Sequence, residues 1–197
     1  MKRTLLTITL LLITTSVYSQ TITIGQDGIV RCKGVPVGTT KMISRNVYEV
    51  VDRDLLIKHI NELKDLTKVC VSNITDMSEL FSYSEFNQPI GNWDVSSVTD
   101  MSGMFMGSNF NQPIGDWDVS NVTDMSWMFT ESQFNQPIGN WDVSKVTNMA
   151  DMFSGSQFNQ SINLWCVLNI KSEHVFFSTS SPLTPQNKPI WGTCPRK

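Results

Sequence analysis

Three aspartates recur in a repeated motif and are the residues best suited to binding a cation. Asp94, Asp118 and Asp142 are 24 residues apart, each between a Trp and a Val, and Asp116 lies beside the column. The alternation predicts a short strand that turns Trp and Val inward and Asp outward. Like charges stacked this way are unfavourable unless hydrogen-bonded, screened or bridged. Two interpretations follow: hydrogen bonds from Ser or Thr hydroxyls and backbone amides, or a bridging cation, with Ca²⁺ the best candidate.

Other catalytic arrangements are missing from the sequence. We find no Ser or Cys nucleophile paired with a His base, no zinc-binding helix motif and no Gly-rich phosphate loop. His59 and His174 are the only histidines. We therefore expect no enzymatic activity and no cofactor, apart from Ca²⁺ if the Asp column binds one.

Residues 1–20 have the features of a secretion signal. Lys2 and Arg3 precede an apolar run that is too short to span a bilayer, and small residues follow up to Gln20. Cleavage near residues 19–20 would change the net charge from −3 to about −5. These features predict a secreted or cell-surface protein that neither spans a membrane nor binds nucleic acid.

Four cysteines in an exported chain suggest two disulfides, for which three pairings are possible. Cys32 and Cys70 bracket the non-repeating N-terminal segment, whereas Cys166 and Cys194 bracket the last repeat and the tail. We predict the pairs Cys32–Cys70 and Cys166–Cys194, one at each end. A metal site is disfavoured because no two cysteines are close in sequence.

The elements that would hold these residues repeat every 24 residues. Three full copies begin at Phe86, Phe110 and Phe134, and partial copies precede and follow them. Such a period predicts stacked coils that bury one shared core. Each coil would contain a short strand in a parallel sheet and a short helix, with Trp, Phe and Met inside. The repeated Asn residues would bond backbone groups in the bends.

Trp127 is the candidate binding residue on the predicted helix. It occupies the variable position between two buried Met residues, which is Gly103 in the previous copy and Asp151 in the next. That position lies opposite the apolar stripe, so we expect Trp127 to be exposed. An exposed Trp can be a binding anchor or a chance surface residue.

The non-repeating segment before the first coil predicts strands, a hairpin and a helix over 52–66. We expect Asp52 to cap that helix, Leu56 and Leu63 to face inward, and His59 to be a surface or half-buried residue. The domain organisation is then a signal peptide over 1–20, an N-terminal cap over 21–70, repeats over 71–165, and a degenerate last coil with a C-terminal cap over 166–197.

The unit FNQPIGNWDVSSVTDMSGMF, with SNITDMSELF before it and WCVLNI and PIWGTCP after it, resembles the BspA-like leucine-rich-repeat surface proteins of bacteria. The resemblance covers roughly residues 70–194. It implies an α/β solenoid of right-handed leucine-rich-repeat-like coils, export to the cell surface and, in some members, adhesion. It carries over no catalytic or metal-binding residue, because the shared positions are core and turn positions.

The hypothesis that follows is a non-enzymatic binding module that presents a solenoid face to an extracellular protein or polysaccharide. Trp127, Asp94, Asp116, Asp118 and Asp142 are its candidate contact residues. The alternative is a structural envelope or spacer protein without a specific ligand.

Overall fold

The computed structural model describes residues 20–195, so the predicted signal peptide lies almost entirely outside the described residues. The N-terminal segment contains two small sheets: an antiparallel pair β1–β2, and a three-stranded sheet in which β4 pairs antiparallel with β3 and parallel with β5. The elements are β1 Thr23–Ile24, β2 Val30–Arg31, β3 Thr40–Ile43, β4 Asn46–Val50, α1 Arg53–Asn61, a 3₁₀ turn Leu66–Lys68, β5 Val69–Cys70 and a 3₁₀ turn Pro185–Asn187.

Helix α1 begins as predicted and ends earlier. The Asp52 carboxylate accepts a hydrogen bond from the Leu55 amide at 2.9 Å, and Leu56 is buried. The helix ends at Asn61, and Leu63 has a φ of 54° and is 89% exposed, so the inward position predicted for it is wrong. His59 is buried rather than half-exposed, because its Nε2 lies 3.0 Å from Glu49 and its Nδ1 lies 3.2 Å from the Lys64 ammonium.

The repeats are joined by a ladder of backbone hydrogen bonds between residues 23 apart. The amides of Met101 and Gly103 donate to the carbonyls of Asp124 and Ser126, and those of Phe105 and Gly107 donate to Met128 and Thr130. The same pattern links residues 77–83 to 100–106 and residues 125–131 to 148–154. Parallel bridges run through Asp76, Asp100, Asp124 and Asn148. Each repeat therefore lies against the next in a constant register.

This ladder replaces the helix that we predicted in each repeat. Within residues 71–165 the structure contains successive turns and no helix. Alternate amides point along the stack to the next repeat, so they cannot donate to the carbonyl four residues earlier as a helix requires. Gly103 and Gly107 have φ values of 61° and 63°, which also interrupt a right-handed helix. The predicted parallel pairing differs as well: the bridges between repeats lie at Asp100 and its equivalents, not in the Trp-Asp-Val segments.

The interior is built from columns of aromatic rings, as the periodicity predicts. Trp93 and Trp117 stack with centroids 6.5 Å apart, and Phe105 stacks on Phe129 at 5.7 Å. The repeated Met residues are fully buried beside them. The core assignment of the four repeat tryptophans is confirmed: Trp93, Trp117, Trp141 and Trp165.

Polar groups inside the stack are satisfied by the same repetition. The indole N–H of Trp117 donates to the carbonyl of Ile90 at 3.2 Å, and equivalent bonds at 3.0 to 3.1 Å hold the other three repeat tryptophans. The Asn87 side-chain oxygen accepts from the amide of Asn111 at 3.0 Å, and this contact recurs twice along the stack. The predicted backbone role of these Asn residues is confirmed.

The last coil departs from the repeat by one residue. Asp151 donates its amide to Val175, 24 rather than 23 residues ahead, and the Met149 amide bonds to Nδ1 of His174 at 2.9 Å instead of to a carbonyl. The tail then covers the coil, with Trp191 packed edge-on against Phe177 at 4.9 Å. The His174 ring thus supplies the acceptor that the insertion removes.

Both predicted disulfides are present. Cys32 is bonded to Cys70, and Cys166 is bonded to Cys194. The first ties β5 to the segment after β2, and the second ties the tail to the last coil. The described residues contain no free cysteine.

We predict that Trp117→Phe lowers the free energy of unfolding by about 1–3 kcal/mol, because it leaves the buried Ile90 carbonyl without its donor. Trp127→Phe is the matched control: this Trp is exposed, and its replacement should change stability by less than about 0.5 kcal/mol. Urea unfolding followed by circular dichroism measures both. Equal effects of the two substitutions would contradict the role of the indole hydrogen bond.

We also predict that dithiothreitol lowers the melting temperature of residues 20–197. The disulfides close segments with sequence separations of 38 and 28, and each contributes about 4 kcal/mol in the chain-entropy model. Thermal melts with and without reductant test this. A melt unchanged after complete reduction, verified by thiol titration, would mean that the disulfides stabilise neither end.

Candidate functional site

The aspartate column is held by local hydrogen bonds. Oδ1 of Asp94 accepts from the amide of Ser96 at 3.2 Å and from its hydroxyl at 2.6 Å. Asp118 and Asp142 accept from the amides two residues ahead at 3.1 and 3.0 Å. The hydrogen-bonded interpretation of these carboxylates is therefore confirmed.

Asp94 is not outward-facing as predicted: only 9% of its surface is exposed. The cause is the β1–β2 hairpin, which docks on the first full repeat. The Val30 amide donates to the carbonyl of Asn92 at 2.9 Å, and Val30 forms a parallel bridge with Trp93. This contact covers the first member of the column, whereas Asp118 and Asp142 remain exposed.

The hairpin and the column enclose a groove of about 590 Å³, which we call the hairpin groove. It brings together three of the predicted site residues and adds two that sequence reasoning missed, Asp27 and Arg31. The only local signal for the added pair is opposite charge at a spacing of four residues across a Gly-containing turn. The residues of the groove that carry charge are Asp27, Arg31, Asp94, Asp116 and Asp118.

Arg31 is the cation of the hairpin groove. Its Nη1 and Nη2 donate to the two carboxylate oxygens of Asp27 at 3.0 and 2.5 Å. These bonds, with the Ile29 amide, lower the pKa of Asp27 to about 2. The Asp27 bond, supported by the charges of Asp27 and Asp94, raises the pKa of Arg31. Within residues 20–195 no three His, Cys, Asp or Glu side chains are grouped as a metal site would require.

Asp142 and Trp127 lie outside this groove. Asp142 borders a separate cavity of about 630 Å³, which is lined in part by Leu164 and the Cys166–Cys194 pair. The five predicted site residues therefore do not form one site.

Trp127 is 49% exposed, so its predicted exposure is confirmed, although its cause differs from the helical argument. Its φ is 55°, in the left-handed region, where an L residue other than Gly costs about 1–2 kcal/mol. The equivalent residue one repeat earlier is Gly103, with a φ of 61°. The side chain thus occupies a backbone position that glycine fills without strain.

Trp127 belongs to a surface that we call the turn face, formed by residues 77–84, 101–108, 125–132 and 149–156. The ladder places residues of left-handed φ on this face in two rows. The first row is Glu79, Gly103, Trp127 and Asp151, extended by Phe176 of the last coil; the second is Tyr83, Gly107, Glu131 and Gly155, extended by Ser180.

Large side chains on the turn face lean over glycines of the next repeat. A Cβ added to Gly107 would lie 2.4 Å from the ring of Tyr83, and one added to Gly155 would lie 3.3 Å from Cγ of Glu131. Tyr83 is exposed and was missed by sequence reasoning. Its signal was the repeat itself, because Gly107 and Gly155 occupy the same position.

We predict that the Asp27 carboxyl titrates near pH 2 in the native protein and near its ordinary value of 3.8 in Arg31→Gln. Because the native pKa is lower than the unfolded one, this carboxylate stabilises the fold above the unfolded pKa, and its contribution is lost as the pH falls towards 2. Carboxyl ¹³C NMR titration measures both midpoints. A midpoint that Arg31→Gln leaves unchanged would contradict the ion pair.

Within the part of the chain that the structure describes, no helix has the length and apolar character needed to cross a bilayer. No curated protein matches the sequence, and no solved structure matches it either. One family model matches residues 53–165 and again residues 84–191, so the two matches span most of the chain. Both cover the repeats that build the turn face and exclude the β1–β2 hairpin. The chain therefore belongs to the family described as "Mycoplasma protein of unknown function, DUF285".

Proposed function

We propose that the protein is a secreted or cell-surface binding module without enzymatic activity, and that it binds its ligand through the turn face. The observation that carries this proposal is Trp127. A large aromatic side chain is exposed on a strained backbone position that Gly103 fills one repeat earlier. Neither burial nor backbone preference accounts for Trp there, whereas exposed Trp is favoured at binding surfaces.

We further propose the finer family assignment, a leucine-rich-repeat-like solenoid related to the BspA-like proteins. The constant 23-residue hydrogen-bond offset and the stacked aromatic columns support a solenoid. The repeat unit that resembles the BspA-like motif lies within the residues that the family model matches.

Export is part of the proposal. Two disulfides are typical of proteins that fold in an oxidising compartment. The signal-like residues 1–20 agree with that location.

The surroundings of the two histidines favour binding over catalysis. Because a Lys ammonium can only donate, Lys64 leaves Nδ1 of His59 as acceptor and Nε2–H as donor to Glu49. His174 Nδ1 accepts from the Met149 amide. Both rings are thus engaged in structural contacts, and all four cysteines are in disulfides.

The test is binding of immobilised residues 20–197 to a panel of extracellular matrix proteins, mucins and polysaccharides, with and without Ca²⁺. We expect saturable binding that Trp127→Gly weakens by roughly fivefold or more, because a binding anchor contributes about 1 kcal/mol or more. Trp127→Gly should keep the fold, since Gly suits this backbone conformation.

Leu63→Gly is the matched control, because Leu63 is also exposed and has a φ of 54°, but lies outside the turn face. Loss of binding in the Asp94/Asp118/Asp142→Asn variant with full binding by Trp127→Gly would move the site to the aspartate column. Absence of binding to every panel member would favour a structural envelope or spacer protein.

A further inference from the structure

We infer that the turn face binds a cationic peptide segment, with Lys or Arg side chains placed against Trp127 and the neighbouring carboxylates of Glu131 and Asp151. This inference rests on the proposed function, since it names the ligand class of the same surface.

The turn face has an unbalanced charge. Its four segments contain the carboxylates of Glu79, Glu131 and Asp151 and neither Lys nor Arg. Among the described residues, none of these three carboxylates has a hydrogen-bond or ion-pair partner, although other acidic residues of the chain do. A cationic ligand would supply the missing partners.

The nearest cations of the protein are engaged elsewhere. Arg53 contacts the first repeat of the turn face at the carbonyl of Ser78, and its guanidinium lies 3.6 Å from Asp76. Lys145 donates to the side chain of Asn121, and Lys188 is paired with Glu173 at 2.7 Å. The surroundings of Trp127 therefore keep their negative charge.

The two rows bring aromatic and acidic side chains close together. The Trp127 amide donates to Ala150, which places Asp151 beside Trp127 in the adjacent repeat, and adjacent strands of a ladder lie about 4.8 Å apart. Glu131 is four residues further along the same repeat, in the second row. A cation within about 6 Å of an indole ring is attracted by its π-face. An ammonium or guanidinium group over Trp127 would therefore lie within reach of both carboxylates.

The wider surface extends this pattern. Tyr83 lies in the row of Glu131, and Phe176 continues the row of Trp127; both are exposed. The aromatic residues are separated along the rows by glycines and carboxylates, so they do not form the continuous apolar strip that an amphipathic helix requires. The carboxylates also oppose nucleic acids and acidic polysaccharides.

The first experiment measures fluorescence anisotropy of a labelled hexalysine peptide with residues 20–197, at about 50 mM and about 300 mM NaCl. Hexaglutamate and a neutral β-linked hexasaccharide carrying the same label are the comparison probes. We expect saturable binding of hexalysine alone, weakened roughly tenfold or more by the higher salt.

Three variants locate the site. Trp127→Gly and the double variant Glu131→Gln/Asp151→Asn should each weaken hexalysine binding roughly fivefold or more, and Trp127→Phe should retain part of it. The double variant Asp118→Asn/Asp142→Asn is the matched control: it removes the same charge outside the turn face, keeps the side-chain oxygens that accept the local hydrogen bonds, and should change the affinity less than about twofold. Thermal melts verify that each variant is folded.

Failure of the inference is distinct from failure of the proposed function. If hexalysine does not bind while Trp127→Gly still abolishes binding to a panel ligand, the turn face binds but its ligand is not cationic. Salt-independent, Trp127-dependent binding of the hexasaccharide would assign the face to a neutral glycan. Hexalysine binding that only Asp118→Asn/Asp142→Asn weakens would place the cationic site at the aspartate column and overturn the inference.

Discussion

The hydrogen bonds between residues 23 apart are the constraint on which the rest of the structure depends. A backbone amide in the interior of a protein must find an acceptor, and here alternate amides of each turn segment find it in the next repeat. A shift of one residue would break every bond at that junction. The register is therefore the same at successive junctions, and equivalent residues of successive repeats must lie next to each other.

Constant register explains the composition of the repeat. Equivalent aromatic rings stack because the ladder aligns them, and each repeat tryptophan can bond its indole N–H to the preceding coil. Asn87 and its equivalents accept backbone amides of the following repeat in the same way. Where the register slips by one residue, at the last coil, the His174 ring replaces the missing carbonyl. Interior positions are thus committed to structure, and variation is confined to the surface.

The same ladder determines which surface positions project. It requires a left-handed φ twice in each turn segment, so two rows of residues stand on the turn face. Glycine fits these positions without strain, yet Trp127, Tyr83 and three carboxylates occupy several of them. The hairpin groove has a different origin, because it depends on the docking of β1–β2 and lies outside the family match. These two origins distinguish a surface built by the repeats from one specific to the N-terminal segment.

The sequence by itself determined the repeat period, the buried tryptophans, the disulfide pairing, the Asp52 cap and the exposure of Trp127. All of these depend on spacing along the chain, which periodicity and position reveal directly. Only the tertiary structure decided the backbone path of each repeat, the burial of Asp94 and His59, and the rows that place Asp151 beside Trp127. The reason is that these features depend on hydrogen bonds between segments remote in the chain. Met101, Met104 and Phe105 have helical spacing, but the amides between them bond to the next repeat.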